Sequence, residues 1–178
     1  MQTQGMIEQA PAATPAISRR IGRLWHTLSE LDERGQDAGP TVQRFWREQG
    51  GRSPLLERLA GVEDECVVTF LWRDAVAAEV LLVVGDESAH VDADLDARLM
   101  RRIPGTDVWH LSLRMPVDVR ASYGFVPRST RRSRSWCDDV GGLTERHLER
   151  VVADPHNPPP DSQATAPKLS LVALDRAN

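Results

Sequence analysis

The spacing of hydrophobic positions divides this chain into a helical front and a strand-like remainder. Residues 1–16, rich in Gln, Ala and Pro, show no apolar period and are expected to form a disordered tail. Ile17, Ile21, Leu24, Leu28 and Leu31 then recur at intervals of three and four, which puts them on one face of a helix from Ile17 to Leu31. Ser18 offers a capping hydroxyl at its start and Gly35 a stop. After a break at Gly39-Pro40, Val42, Phe45 and Trp46 share one face of a second short helix, Thr41–Gln49, ended by Gly50-Gly51.

Beyond a capped turn expected at Ser53-Pro54-Leu55-Leu56, the period shortens to that of strands. Cys66–Trp72 is rich in β-branched and aromatic residues. Val80–Val84 is apolar throughout and is expected to be a central strand. Val108–Met115 alternates, with Val108, His110, Ser112 and Arg114 on one face and Trp109, Leu111, Leu113 and Met115 on the other, as a half-buried strand does. A turn at Pro104-Gly105-Thr106-Asp107 leads into it. Arg120–Val126 puts Ala121, Tyr123 and Phe125 on one face, and Leu169–Leu174 supplies a closing strand. No helices alternate with these strands, so the pattern predicts an antiparallel sandwich rather than a parallel α/β sheet. An arginine-rich loop (Arg128–Arg134), a short late helix (Thr144–Val152) and a proline-rich segment (Asp154–Pro160) fall between the last two strands. The domain reading is a tail (1–16), a helical segment (17–52) and a β-sandwich (53–175).

Composition narrows the class. Hydrophobic residues at 40% are enough for a packed core, and a net charge of −4 argues against a nucleic-acid partner or a membrane surface. The longest apolar stretch, Val80–Val84, is far too short to span a bilayer. With no secretory signal in the first twenty residues, the protein is expected in the cytoplasm, with Cys66 and Cys137 as reduced thiols.

Catalytic patterns are absent from the sequence. A nucleophile elbow needs glycine on both sides of the serine at a spacing of two. Ser53 has Gly51 before it but Leu55 after it, and Ser122 has Gly124 after it but Arg120 before it. Asp92-x-Asp94-x-Asp96 opens like a calcium loop, yet the sixth position is Ala97 and the twelfth Ile103, so it reads as a solvated loop. No histidine or cysteine spacing fits a transition metal. His110 and His147 read as structural or exposed.

An ordered set of short segments carries a family resemblance. These are Phe45-Trp46, Ser53-Pro54-Leu55-Leu56-Glu57, Val68–Arg73, Met100–Trp109, Leu113–Pro116, Arg120–Pro127 and Asp154–Pro158. Together they resemble the amino-terminal domain of enterochelin (siderophore) esterases. The resemblance implies an immunoglobulin-like, early-set β-sandwich with short N-terminal helices and one late helix. It implies an α/β-hydrolase domain or subunit as partner, expected outside this chain, which is itself expected to be non-catalytic. It also implies a role in iron acquisition. The ligand would be a ferric catecholate siderophore, with iron present only as that cargo and no cofactor bound directly.

A ferric tris-catecholate is a bulky aromatic trianion, and a site for it needs arginines for charge and flat rings for stacking. The candidates are Trp72, Arg73, Arg120, Tyr123, Arg128, Arg131, Arg132 and Arg134. Trp72, Trp109 and Tyr123 read more readily as sandwich core than as a ligand platform, and Phe45 and Trp46 as a clamp between helices and sandwich. Asp154 and Asn157 read as an Asx-type turn. The alternatives are a carbohydrate-binding early-set module, which would need exposed tryptophans on one sheet face, and a non-catalytic interaction domain that associates with itself or another subunit. Nucleic-acid binding through Arg128–Arg134 is disfavoured by the overall acidity.

Overall fold

The computed structural model describes residues 14–50, 52–85, 96–130, 150–158 and 169–174. Two helices come first. Helix α1 (Arg19–Glu33) is capped by Ser18, whose hydroxyl accepts from the Ile21 N–H. Its end is a Schellman motif: Gln36 N–H donates to Leu31 O, Gly35 N–H to Asp32 O, and Gly35 takes φ +63°. Ile17, expected on the helix face, instead precedes the cap and is 89% exposed. Helix α2 (Gly39–Gln49) begins two residues earlier than its pattern suggested. The Gly39-Pro40 step opens it, because proline's fixed φ suits the first helical turn.

Among the described residues, eight strands follow or flank these helices: β1 (Thr14–Pro15), β2 (Leu55–Leu59), β3 (Val62–Arg73), β4 (Glu79–Gly85), β5 (Arg101–Arg102), β6 (Val108–Pro116), β7 (Arg120–Arg128) and β8 (Ser170–Ala173). All pair antiparallel, in two sheets. One runs β1-β6-β3-β2, with β5 sharing the β1 edge of β6; the other runs β4-β7-β8.

Period two sorts the side chains between layers. Cys66, Val68 and Phe70 of β3 and Trp109, Leu113 and Met115 of β6 face Val80, Leu82, Tyr123, Phe125 and Val172 of the other sheet. The opposite face of β3 and β6, with Leu71 and Val108, lies under α1 and α2 and packs on Ile21, Leu24, Leu28, Phe45 and Trp46. Phe45 and Trp46 thus clamp the helices to the sheet. A buried polar pair on that covered face, Thr69 and Ser112, is satisfied internally by a 2.9 Å hydroxyl–hydroxyl bond. Among the described residues no helix is long and apolar enough to cross a membrane.

Four expectations need correction. Residues 14–16 are not a free tail: Thr14 and Pro15 pair with Arg114 and Leu113, and Ala16 N–H bonds Ser112 O. Strand β6 is buried on both faces, because the helices cover the side that alternation alone leaves to water. Strand β4 is buried from Val80 to Val83 yet lies at a sheet edge. Its outer face is covered through Leu81, Val83 and Val126 by Leu99 and Val151. The late helix Thr144–Val152 falls outside the described residues up to 149, and its end is not helical. Val152 adds to β7 as a bridge, exchanging both backbone bonds with Phe125. Gly124 makes this close approach possible: a Cβ there would lie 2.4 Å from Val151 Cγ1 and 3.0 Å from Val152 O.

Candidate functional site

The end of the sandwich where β3 hands over to β4 gathers charge and rings. Arg73, the last residue of β3, pairs across the ladder with Val108, so its side chain leaves on the helix-covered face at the rim. Its Nε donates to Asp107 Oδ2 at 2.6 Å, and its guanidinium carbon lies 5.6 Å from the Trp46 ring centroid. Trp46 Nε1 donates to the other Asp107 oxygen at 3.1 Å. Burial by itself raises the Asp107 carboxyl. The hydrogen bonds from Arg73 and Trp46, with Arg73's charge, outweigh it and hold the group below the usual carboxylate range. Arg73 is half-exposed, and Asp107 grips it at the inner end of the fork.

The outer face of Trp46 stacks on His156, with centroids 5.5 Å apart and planes 17° from parallel. His156 is held by a turn: Asp154 Oδ1 accepts its backbone N–H at 2.8 Å, and Asn157 N–H bonds Asp154 O. Asp154 is completely buried. Its Oδ2 accepts from the Tyr123 hydroxyl at 2.9 Å, its N–H donates to Ser170 Oγ, and Asn157 Nδ2 reaches both Tyr123 Oη and Leu171 O. A continuous chain of contacts therefore runs from the sandwich core at Tyr123 to the exposed rim at Arg73.

The eight candidate residues do not form one cluster. Trp72, Arg73 and Arg128 lie at this end; Arg128 closes β7 opposite Glu79. Trp72 packs into the core, tilted on Phe125 at 5.1 Å, and its indole N–H is buried without a hydrogen-bond partner among the described residues. Tyr123 is wholly buried, so its ring is core and its hydroxyl belongs to the Asp154 turn. Arg120 is exposed at the opposite end of β7, roughly 26 Å of strand from Arg128. It sits on the opposite face from Tyr123, three positions away on a strand of period two. Arg131, Arg132 and Arg134 lie outside the described residues. Sequence reading missed Asp107, which it placed only in a turn, and His156, which it saw only as part of a proline-bounded segment. It also missed Arg102, whose guanidinium is fixed by Thr106 O (2.6 Å) and Ala75 O (3.0 Å) over the Trp109 ring. Among the described residues no group of three His, Cys, Asp or Glu is placed to hold a metal ion.

Comparison with known proteins places this architecture. The family described as "Enterochelin esterase, N-terminal" matches residues 67–178. The iron(III) enterobactin esterase of Dickeya dadantii is 33% identical over 146 residues, covering 74% of this chain and 32% of that protein. The iron(III) salmochelin esterase of Escherichia coli O6:H1 is 31% identical over 140 residues, covering 75% of this chain and 32% of that one. The crystal structure of the Shigella flexneri enterobactin esterase in the presence of enterobactin shares the fold. Its TM-score is 0.53 at 24% identity, over 76% of this chain and 36% of the other. This chain spans about a third of the length of these relatives. With more than half of its residues matched, it belongs to the enterochelin esterase N-terminal domain family.

Proposed function

We propose that this domain serves a siderophore esterase, holding a ferric catecholate at the Trp46–Arg73–Asp107 corner for hydrolysis by an α/β-hydrolase domain or subunit. The reading extends to an early-set immunoglobulin-like sandwich and a cytoplasmic setting, with iron present only inside the siderophore. Catalysis is assigned to the hydrolase, since the nucleophile elbow is missing from this sequence.

The observation that carries the proposal is the combination of the family match with a pre-organised guanidinium on an indole face. Asp107 and Trp46 fix the Arg73 fork before any ligand arrives, so little side-chain entropy is lost on binding. A catecholate ligand offers anionic oxygens to the fork. A carbohydrate module needs exposed indoles on a sheet face. Trp109 is 5% exposed and Trp72 packs against Phe125, both turned into the sandwich, so that reading is not favoured.

Ferric enterobactin, with maltoheptaose as control, is titrated against the tryptophan fluorescence of the chain while ester hydrolysis is followed in the same tube. Saturable quenching by the siderophore without hydrolysis is expected. Arg73→Ala should weaken binding by about 10–100-fold, the worth of one charge-assisted hydrogen bond. No saturable quenching, or quenching that Arg73→Ala leaves unchanged, removes the corner from consideration.

A further inference from the structure

A groove of about 1100 Å³ opens along the edge of β6, in the gap left between the short strands β1 and β5. Its floor is Trp109–Ser112. One wall is the start of α1, and the other is the 97–102 segment with Ala77 and Ala78.

Three features define what would fit. Among the described residues, no carboxylate lines the groove while Arg101 and Arg102 do, so this lining is positively charged. Arg101 is exposed, and among the described residues its side chain makes no ion pair, whereas Arg102 is immobilised by two backbone carbonyls. Apart from Ser18 the walls are otherwise apolar, and two exposed large hydrophobic residues, Ile17 (89%) and Trp25 (45%), border the same opening. His110 meets the groove beside Arg101. Burial, with Arg101's charge second, lowers its pKa to about 4, so at neutral pH the imidazole offers one donor and one acceptor.

We infer that this groove binds a hydroxylated aromatic carboxylate: the carboxylate at Arg101, the ring against Trp25 and the apolar wall, and the ring hydroxyl at His110. Esters release a carboxylic acid on hydrolysis, so such a ligand is product-like. That role, though not the binding itself, rests on the esterase reading above. The site is separate from the Arg73 corner, and the two are tested by different variants.

Gly22 supplies an incisive test. It lines the groove from α1, and a Cβ built on it meets nothing within 4 Å. A larger residue there fits the helix, where glycine is the poorer former, and fills the groove. Salicylate, benzoate, cyclohexanecarboxylate and neutral salicylamide would be titrated into the full chain while the Trp25 indole N–H is followed by NMR, assigned with Trp25→Phe. Salicylate should shift that signal saturably. Benzoate should bind more weakly, and salicylamide and cyclohexanecarboxylate at least about tenfold more weakly. Arg101→Gln should cost about 10-fold or more, and Gly22→Phe should abolish binding while leaving the spectrum folded. Arg101→Gln, at an exposed position, keeps the test valid should Gly22→Phe not fold. Failure of salicylate to saturate the signal, or binding indifferent to both Arg101→Gln and Gly22→Phe, overturns the inference. If salicylate fails while ferric enterobactin still binds through Arg73, only the groove is lost. If salicylate binds and the siderophore does not, the esterase reading is lost and the groove stands.

Discussion

Tyr123→Phe removes one oxygen from the best-connected buried point of the molecule. The ring itself would be undisturbed, held edge-on by Phe70 at 4.9 Å and Phe125 at 5.9 Å. Burial first, and the nearby Asp154 charge second, push the phenol pKa up, so the hydroxyl keeps its proton and donates. Its loss leaves Asp154 Oδ2 without that donor inside a fully buried side chain. Asn157 Nδ2 keeps its 2.8 Å bond to Leu171 O and loses only the longer one to Tyr123. One orphaned buried acceptor costs about 1–3 kcal/mol, which for a chain of this size lowers Tm by about 2–4 °C per kcal/mol. Urea unfolding of both proteins would measure it, with the slope checked for constancy. The same variant should loosen the turn that sets His156 on Trp46, so a change in tryptophan emission should accompany the loss. A stability difference under about 0.5 kcal/mol, with unchanged emission, would refute the claim that this hydroxyl holds the Asp154 turn.

Two further outcomes follow from the structure. His110 titrates near 6.5 when unfolded and at about 4 when folded, so the unfolded chain binds its proton first. Its contribution, at most about 3 kcal/mol, is complete above about pH 6.5 and is lost as pH falls toward 4. His110→Asn should flatten the stability–pH curve in that window, and an unchanged slope would show that another group is responsible. Gly124→Ala drives a methyl into Val151 and against the Val152 carbonyl, which is fixed by its bridge to Phe125. A loss of about 1–3 kcal/mol in thermal unfolding is expected, partly recovered by Val151→Ala; a neutral Gly124→Ala would mean that the 150–152 segment does not lie on β7.

Periodicity revealed those elements whose pattern is local. The alternation of Val108–Met115 and of Arg120–Val126 assigned each side chain to its face, and Ser18 and Gly35 marked the ends of α1. What escaped was set by partners distant in sequence. Strand β2 has an irregular pattern, Leu55 buried beside an exposed Leu56, and becomes a strand only because β3 offers an edge. Glu63, Asp64 and Glu65 are poor strand formers, yet β3 runs through them: Val62 pairs with Leu59 of β2, Glu65 pairs with Pro116 of β6, and Asp64 O accepts the Val117 N–H. Val80–Val84 is apolar on both faces, which sequence reads as central. Coverage by the 99 and 151 segments produces the same signature at an edge.

The site followed the same logic. Arginine beside tryptophan at 72–73 was visible as composition, but the Arg73 cation found its ring at Trp46, in another element, and its counter-ion at Asp107. That difference has an electrostatic consequence. At the corner, Arg73 is already neutralised by a carboxylate held ionised, so an incoming anion gains mainly directional hydrogen bonds from the rest of the fork. In the groove, Arg101 faces no lining carboxylate among the described residues, so attraction there rests on charge that these residues leave uncompensated near water. Exposed charge is screened over about 8–10 Å at physiological ionic strength, whereas a pre-paired, partly buried fork is screened far less. Raising salt should therefore weaken ligand binding in the groove more steeply than at the corner. Because salt slope also scales with ligand charge, the comparison uses a single monoanion against the Arg73→Ala and Arg101→Gln variants, and equal slopes in the two would refute the distinction.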